Sequence, residues 1–399
     1  MLMGSANRAD FVIIGAGIAG ASVAYWLAPH GKVVILERES HPGFHSTGRS
    51  AALYMASYGN AQVRALTLAS KKFFDAPPQG FCAHPLLSPR GALMVAERGQ
   101  EAALEQHWAV LAQMNTGARR LTGAQACQLS PALRPERIVD ALIEPDAADM
   151  DVNAIHQGFL RGAVARGGEV RVHSEVVGLD RHDNQWTVTT QKNETWQAPV
   201  VIDAAGAWAD ELAKMAGASR IGLQPCRRSA LLFKPEGFGD FAKWPMTYGA
   251  SENWYFKPDA GQVLVSPANA DPVSPQDVQP EELDIAIAID RIESVTTFMI
   301  RRPSHTWAGL RSFVQDHGLV GGFDEIKPGF FWIAAQGGYG IQTSPAMGEA
   351  CAALVRGLPI PPAIADWGLT KEMLSALRLS ERCSLGSPEL YQVLCNRWQ

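Results

Sequence analysis

The sequence predicts an α/β fold in which a parallel-sheet domain, discontinuous along the chain, is interleaved with a second domain of mixed or antiparallel β-sheet plus helices. Three observations predict it. The apolar run 11–14 passes through a glycine-rich turn into a helical stretch and then the β-branched run 32–36; a strand-helix-strand unit of this length implies a parallel pair. Two further apolar runs, 200–202 and 330–334, each lead into small or glycine-rich residues, as buried strands ending at a ligand-side turn do. From Arg227 onward the chain turns β-rich, so the second domain is inserted between pieces of the first.

The elements follow in order. Residues 21–28 read as a helix that Pro29 and Gly31 stop, and 61–74 as another that Pro77, Pro78 and Gly80 stop. Helices are expected over 100–114, 152–166, 281–295 and 345–356, and strands over 169–173, 185–190, 230–234, 254–257 and 262–265. The last two flank a hairpin turn at Pro258-Asp259-Ala260-Gly261, and 271–280 is a Pro- and Asp-containing loop. No internal repeat or low-complexity tract interrupts the pattern.

Composition narrows the function classes. The chain of 399 residues is 47% hydrophobic and 19% charged, below the roughly 25% charge of an average domain, which excludes disorder and predicts two domains. The balance of 35 basic against 40 acidic residues, net −5 without a basic stripe, argues against a nucleic-acid partner. The six cysteines contain no C-x-x-C pair, so neither a metal site nor a disulfide scaffold is expected; reduced thiols suit a cytoplasmic location, and residues 1–10 lack the apolar core and cleavage site of a secretion signal. The uncharged 18-residue stretch 11–28 has the length of a membrane span, but its glycines at 15, 17 and 20 divide it into strand, turn and helix.

That turn, Gly15-Ala16-Gly17-Ile18-Ala19-Gly20, is G-x-G-x-x-G between a strand and a helix. Gly15 permits the tight turn, Gly17 the approach of a pyrophosphate to the backbone, and Gly20 close helix-strand packing; the helix N-terminus attracts the phosphates. Glu37, ending the second strand, is placed for an adenosine ribose, and its charge disfavours a 2′-phosphate. The fingerprint suits FAD or NAD equally. Two more small-residue segments, His45-Ser46-Thr47-Gly48-Arg49-Ser50-Ala51-Ala52 and Ala335-Gln336-Gly337-Gly338-Tyr339-Gly340-Ile341-Gln342, are suited to line a pyrophosphate and a planar ring, and a second dinucleotide motif for NADPH is absent. The economical inference is a flavin reduced directly by substrate.

The chain resembles the FAD-dependent D-amino acid oxidase and dehydrogenase superfamily, and within it most closely the bacterial FAD-dependent D-arginine dehydrogenases. The resemblance rests on VIIGAGIAGAS, ILERE, PGFHSTGRSAA, GFCAHPLLSPR, DAAGAW, LQPCRRSALLF, YFKPDAG, SPANADPV, IRRPSHTWAGLRSF and AAQGGYGIQTS, in order up to about Leu379. It implies a Rossmann-like FAD-binding domain over 1–80, 146–220 and 325–379, a substrate domain over 81–145 and 221–324, and a C-terminal tail, 380–399, without counterpart. FAD, held non-covalently, is expected at Gly15, Gly17, Ala19, Gly20, Glu37, Arg38, Ser46, Thr47, Gly48, Arg49, Ser50, Ala51, Ala52, Leu53, Val176, Gly206, Gly337, Gly338, Tyr339, Gly340, Ile341 and Gln342. The resemblance assigns the substrate carboxylate to Arg228 and Arg311 with Tyr255, the substrate amine to the Gly338 carbonyl, and the pocket cover to Tyr58, with Tyr339, Gly340 and Ile341 nearby.

The implied reaction is oxidative deamination of a D-amino acid to a 2-oxo acid and ammonia, with hydride passing from Cα to flavin N5. Electrons would go on to a quinone, a dye or oxygen, with peripheral contact at the inner membrane face left open. Three positions depart from the arginine-using pattern: an acid is replaced by Ala92, a histidine by Leu53 and a threonine by Met55. These changes predict a preference for apolar or aromatic over cationic substrates. No general base is assigned; His45 and His305 are the candidates set aside, and Cys226 suggests no covalent flavin. Because neighbouring residues of a strand face opposite ways, only one of Arg227 and Arg228 can enter a site, while Arg301 and Arg302 read as surface or interdomain pairs. Trp254 suits core packing or a pocket wall. A flavin oxidase of glycine-like or N-alkyl amino acids and a non-catalytic nucleotide-binding protein are the alternatives.

Overall fold

The computed structural model describes residues 7–114 and 116–380, so the tail segment 381–399 lies outside the described residues. The chain opens with β1 (Phe11–Ile14), α1 (Ile18–Leu27) and β2 (Val33–Leu36). Then come α2 (Ala61–Asp75), β3 (Ala92–Glu97), α3 (Glu101–Leu111) and β4 (Ile138–Glu144), followed by α4 (Val152–Val164), β5 (Glu169–Arg171) and β6 (Val200–Asp203). β7 (Gln224–Phe233), β8 (Met246–Gly249), β9 (Tyr255–Asp259), β10 (Gln262–Ser266) and α5 (Glu282–Val295) form the next block. β11 (His305–Phe313), β12 (Val320–Phe323), β13 (Phe330–Ala334) and α6 (Gly340–Val355) close the main body.

Five parallel strands in the order β5-β2-β1-β6-β13, with β12 antiparallel at the edge, make the first sheet. Its central strands are covered on both faces, which is why they read as unbroken apolar runs. One face packs Ile13, Ile35, Ile202 and Phe331 beneath α1, α4 and α6. The other packs Val12, Val34, Val201 and Trp332 against Trp186 and Trp196 of a small mixed sheet and against the helix Ala209–Ala216. α1 and α6 touch closely because Gly348 meets Ser22, where a Cβ would stand 2.8 Å from the Ser22 side-chain oxygen.

The second large sheet runs Asp271–Pro272, β7, β10, β9, β8, β3, β4 and Arg119–Thr122, with β11 pairing along β7. Its core joins Phe233, Phe256 and Phe298 to Ala288 and Ile292 of α5. The β7–β11 register sets Cys226 opposite Arg311 and Arg228 opposite Gly309. Arg228 and Arg311 therefore lie on one face of this pair, and Arg227 on the other.

The structure shifts several expected boundaries. The hairpin turn is one residue later, because Asp259 pairs with Gln262 while Ala260 and Gly261 take φ of 47° and 77°, and Pro258 belongs to β9. α6 starts at Gly340 rather than 345, with Pro345 inside it; the Ile341 carbonyl that Pro345 cannot serve accepts from the Ser344 hydroxyl at 2.8 Å. β12 joins the first sheet although it precedes residue 325. The short or small-residue strands β3, β4, β8 and β11 carry no clear alternation and were not expected. Among the described residues no helix is long and apolar enough to cross a membrane.

Candidate active site and cofactor cleft

The glycine turn is built by contact between backbones. Gly15 has φ 101°, and a Cβ there would stand 2.4 Å from the Ala204 carbonyl oxygen at the end of β6; one on Gly20 would stand 2.0 Å from the Gly15 oxygen. Neither position tolerates a side chain. Gly17 is the extended N-cap of α1 and has no side-chain cap. The Ala16 amide donates to Glu37 Oε2 at 2.8 Å, and the Ile18 amide to Thr47 Oγ1 at 3.0 Å. A cleft of about 220 Å³ opens here, lined by Gly15, Gly17, Glu37, Arg38, Ser46, Thr47, Val176 and Gly206. The Arg38 guanidinium lies 4.4 Å from the Trp208 ring centroid at its rim, and His45 Nε2 meets Glu39 Oε1 at 2.9 Å.

The cleft continues past Ser46 and Thr47 through Arg49, Ser50, Ala51, Gly337, Gly338, Gly340 and Ile341. It ends in a compartment that adds Ala52, Leu53, Met55, Tyr58, Arg228, Tyr255, Arg311 and Gln342. Arg311 Nη1 donates to the Tyr58 hydroxyl at 3.1 Å, and Tyr58 meets the edge of Tyr339 with centroids 4.9 Å apart. Gly338 leaves room for Arg311, whose Nη1 would be 2.8 Å from a Cβ there. Arg228 donates from Nε to the Asn269 carbonyl. Burial, and then the like charge of Arg311, push the Arg228 guanidinium down to about 10, so it remains a cation at neutral pH. Across the strand, Arg227 is consumed by Asp284, at 2.7 Å, and by Glu281.

Besides Trp254, named from the sequence as a possible pocket wall, this compartment has charged and apolar features that escaped the sequence reading. Glu252, half-buried in the turn between β8 and β9 with φ 52°, lines it. Burial raises its carboxyl above the ordinary value, against the opposing pull of Arg228 and Arg311. Lys257 lines it too, two residues beyond Tyr255 on the same face, with its Nζ 2.9 Å from Asp149; that spacing was the signal available for it. Met150, Met246, Tyr248 and Trp254 complete the wall with Leu53 and Met55. Ala92 does not line the compartment. It is 1% exposed and packs behind the wall with Met55 and Tyr248.

The model of the FAD-dependent oxidoreductase (DAO) family matches residues 10–354. The chain belongs to this family. L-2-hydroxyglutarate dehydrogenase of Escherichia coli O17:K52:H18 is 25% identical over 52% of this chain and 50% of that protein, so the chain matches about half the length of this relative. Glycine oxidase of Geobacillus kaustophilus is 22% identical over 92% of this chain and 98% of its own, and its crystal structure aligns with TM-score 0.79 and 20% identity over 92% and 99% of the two chains. The structure of iminodiacetate oxidase from Chelativorans sp. BNC1 aligns with TM-score 0.77 and 23% identity, over 92% and 98%.

FAD is accordingly the cofactor of this FAD-dependent oxidoreductase. The residues fit it: a helix N-terminus whose N-cap is a glycine, a turn that excludes side chains and an oriented Glu37 lie at one end of the cleft, and small residues continue toward the other. Most expected contacts line the cleft, and the others have structural places. Gly20 packs on Gly15, and Gly48 on Gly43, where a Cβ would be 2.7 Å from the carbonyl oxygen. Ala19 packs against the core under the first sheet, and Tyr339 precedes α6 as its N-cap. His305 does not line the cleft but stacks, at 5.5 Å, on Trp307, which does, and Arg301 and Arg302 are exposed. Among the described residues no His, Cys, Asp and Glu group could hold a metal.

Proposed function

We propose that this flavoenzyme oxidises the α-amine of a D-amino acid with an apolar or aromatic side chain, giving an imino acid that water converts to a 2-oxo acid and ammonia. The observation that carries the reading is the pair Arg228 and Arg311 on one face of β7–β11, beside Tyr58 and Tyr255, with an apolar wall of Leu53, Met55, Met246 and Trp254 in the same compartment. Charge supports it: Lys257 shares Asp149 with Arg90, and the Glu252 carboxyl lies under the pull of Arg228 and Arg311, so the compartment keeps a net positive charge for a carboxylate, while the substrate side chain meets carbon and sulfur. FAD supplies the two-electron acceptor. The chain's own residues clamp the carboxylate, fix which face of Cα is presented and exclude water. The Gly338 carbonyl is the proposed acceptor for the neutral amine, and the onward acceptor is a quinone, a dye or oxygen.

A second reading, an oxidase of glycine-like or N-alkyl amino acids, is favoured by the names of two full-length relatives, glycine oxidase and iminodiacetate oxidase. Anaerobic mixing with D- and L-amino acids, glycine and N-methylglycine, followed by flavin bleaching, separates the two. D-Leu and D-Phe should bleach the flavin faster than D-Arg. Equal rates with D-Arg would sink the side-chain preference, reduction by L-enantiomers alone the stereochemistry, and stoichiometric peroxide from glycine would favour the second reading. Bleaching by none of them would favour a non-catalytic nucleotide binder.

A further inference from the structure

Ala16 is the one residue with a side chain between Gly15 and Gly17, and both of its peptide groups are pinned from elsewhere in the chain. Its amide donates to Glu37 Oε2, at the end of β2, at 2.8 Å. Its carbonyl faces His156 Nε2, on α4, also at 2.8 Å. A carbonyl only accepts, so Nε2 carries the proton. All three residues are buried, with exposures of 0% for Ala16, 7% for Glu37 and 3% for His156. On α4 the inward face is otherwise apolar, with Ile155 and Phe159 in the core under the first sheet, so a histidine there demands a reason beyond packing.

The ring also rests on a second loop. A Cβ on Gly43, which has φ 79°, would stand 3.0 Å from His156 Cε1, so glycine leaves the space that the imidazole fills. The Gly43 carbonyl accepts from the Gly48 amide at 2.8 Å, closing the turn that presents Thr47 Oγ1 to the Ile18 amide at 3.0 Å. One imidazole thus touches both loops that line the ADP end of the cleft. We propose that His156 is a positioning residue for the FAD, fixing the orientation of the Ala16 peptide and the seat of the 43–48 turn so that the cradle is formed before the cofactor enters. Without it the Ala16 carbonyl is a buried acceptor with no donor, and the turn is released to satisfy it elsewhere.

The test compares His156→Gln with His156→Asn. The glutamine amide reaches about as far as Nε2, whereas the asparagine amide stops near the position of Nδ1. FAD affinity of the deflavinated proteins is read from flavin fluorescence quenching, with thermal midpoints of the same flavin-free samples alongside. H156N should bind FAD roughly tenfold or more weakly and H156Q within about threefold of the parent. Equal FAD affinity for parent and H156N overturns the proposal. So does equal weakening in H156N and H156Q, which would assign the effect to ring volume, and so does a loss of affinity that tracks the flavin-free midpoint across the three proteins. The readout is cofactor binding, so it stands whether or not the substrate reading holds.

Discussion

Arg311 makes its fork available because Gly338 yields the space and Tyr58 orients one terminal nitrogen. Lysine there keeps the charge and loses the bidentate geometry, so Arg311→Lys should lower kcat/KM for the best substrate by about two orders of magnitude with flavin content unchanged; steady-state kinetics beside a flavin spectrum checks it. His107 gives a pH prediction. Its Nε2 lies 3.5 Å from both the Ser57 and Tyr248 hydroxyls, and burial, followed by the charge of Arg64, brings its imidazole down from 6.5 to about 4. A depressed value favours the neutral form in the fold. The stabilisation is therefore complete above pH 6.5 and is lost as pH falls toward 4, at most about 3 kcal/mol. Thermal midpoints from pH 7 to 4 should fall less steeply for His107→Gln than for the parent. At this scale alternation showed that only one of Arg227 and Arg228 could enter the site, and the family resemblance, not alternation, picked Arg228. Glu252 was not legible: a turn residue shows its direction only once φ and the approach of two arginines from another pair of strands are known. Ala92 was assigned to the pocket by position; the register of β3 does set it on the face of Met246 and Tyr248, but it is buried among Met55 and Tyr248 and does not line the compartment.

Helix α6 shows how an element can be recognised and still begin in the wrong place. Proline favours the first turn of a helix, so Pro345 drew the expected start to itself, while the glycines before it read as loop. The Ser344 hydroxyl bond to the Ile341 carbonyl lets the helix run through. Ser344→Ala should cost about 1 kcal/mol and loosen the first turn of α6, as chemical denaturation and amide exchange would report. Gly338→Ala tests the same junction from the site: its Cβ would meet the Arg311 guanidinium at 2.8 Å. KM should rise roughly tenfold or more, with the flavin spectrum retained. The strands of the first sheet were legible because burial on both faces leaves continuous apolar sequence. β3, β8 and β11 were not, because their identity depends on partners far away in the chain.

On the scale of the whole molecule, the repeated passage from apolar strand to small residues made the discontinuous architecture readable, although which strand neighbours which came only from the structure. FAD binds the folded chain alone, so the thermal midpoint should climb with added flavin, by about 2.7 kcal/mol of stabilisation at a hundred times Kd. The order β5-β2-β1-β6-β13 also has a consequence for biosynthesis. The glycine turn is synthesised well before the segments that complete it: Gly15 is shaped against Ala204 on β6, and Gly337 to Gln342 come later still. A nascent chain holding β1, β2 and β6 presents an unpaired apolar edge where β13 will dock, a surface prone to association. Flavin capture has to wait until β13 and residues 337–342 have been made and packed, and during that interval the growing enzyme is a client for chaperones, with no help from its own cofactor.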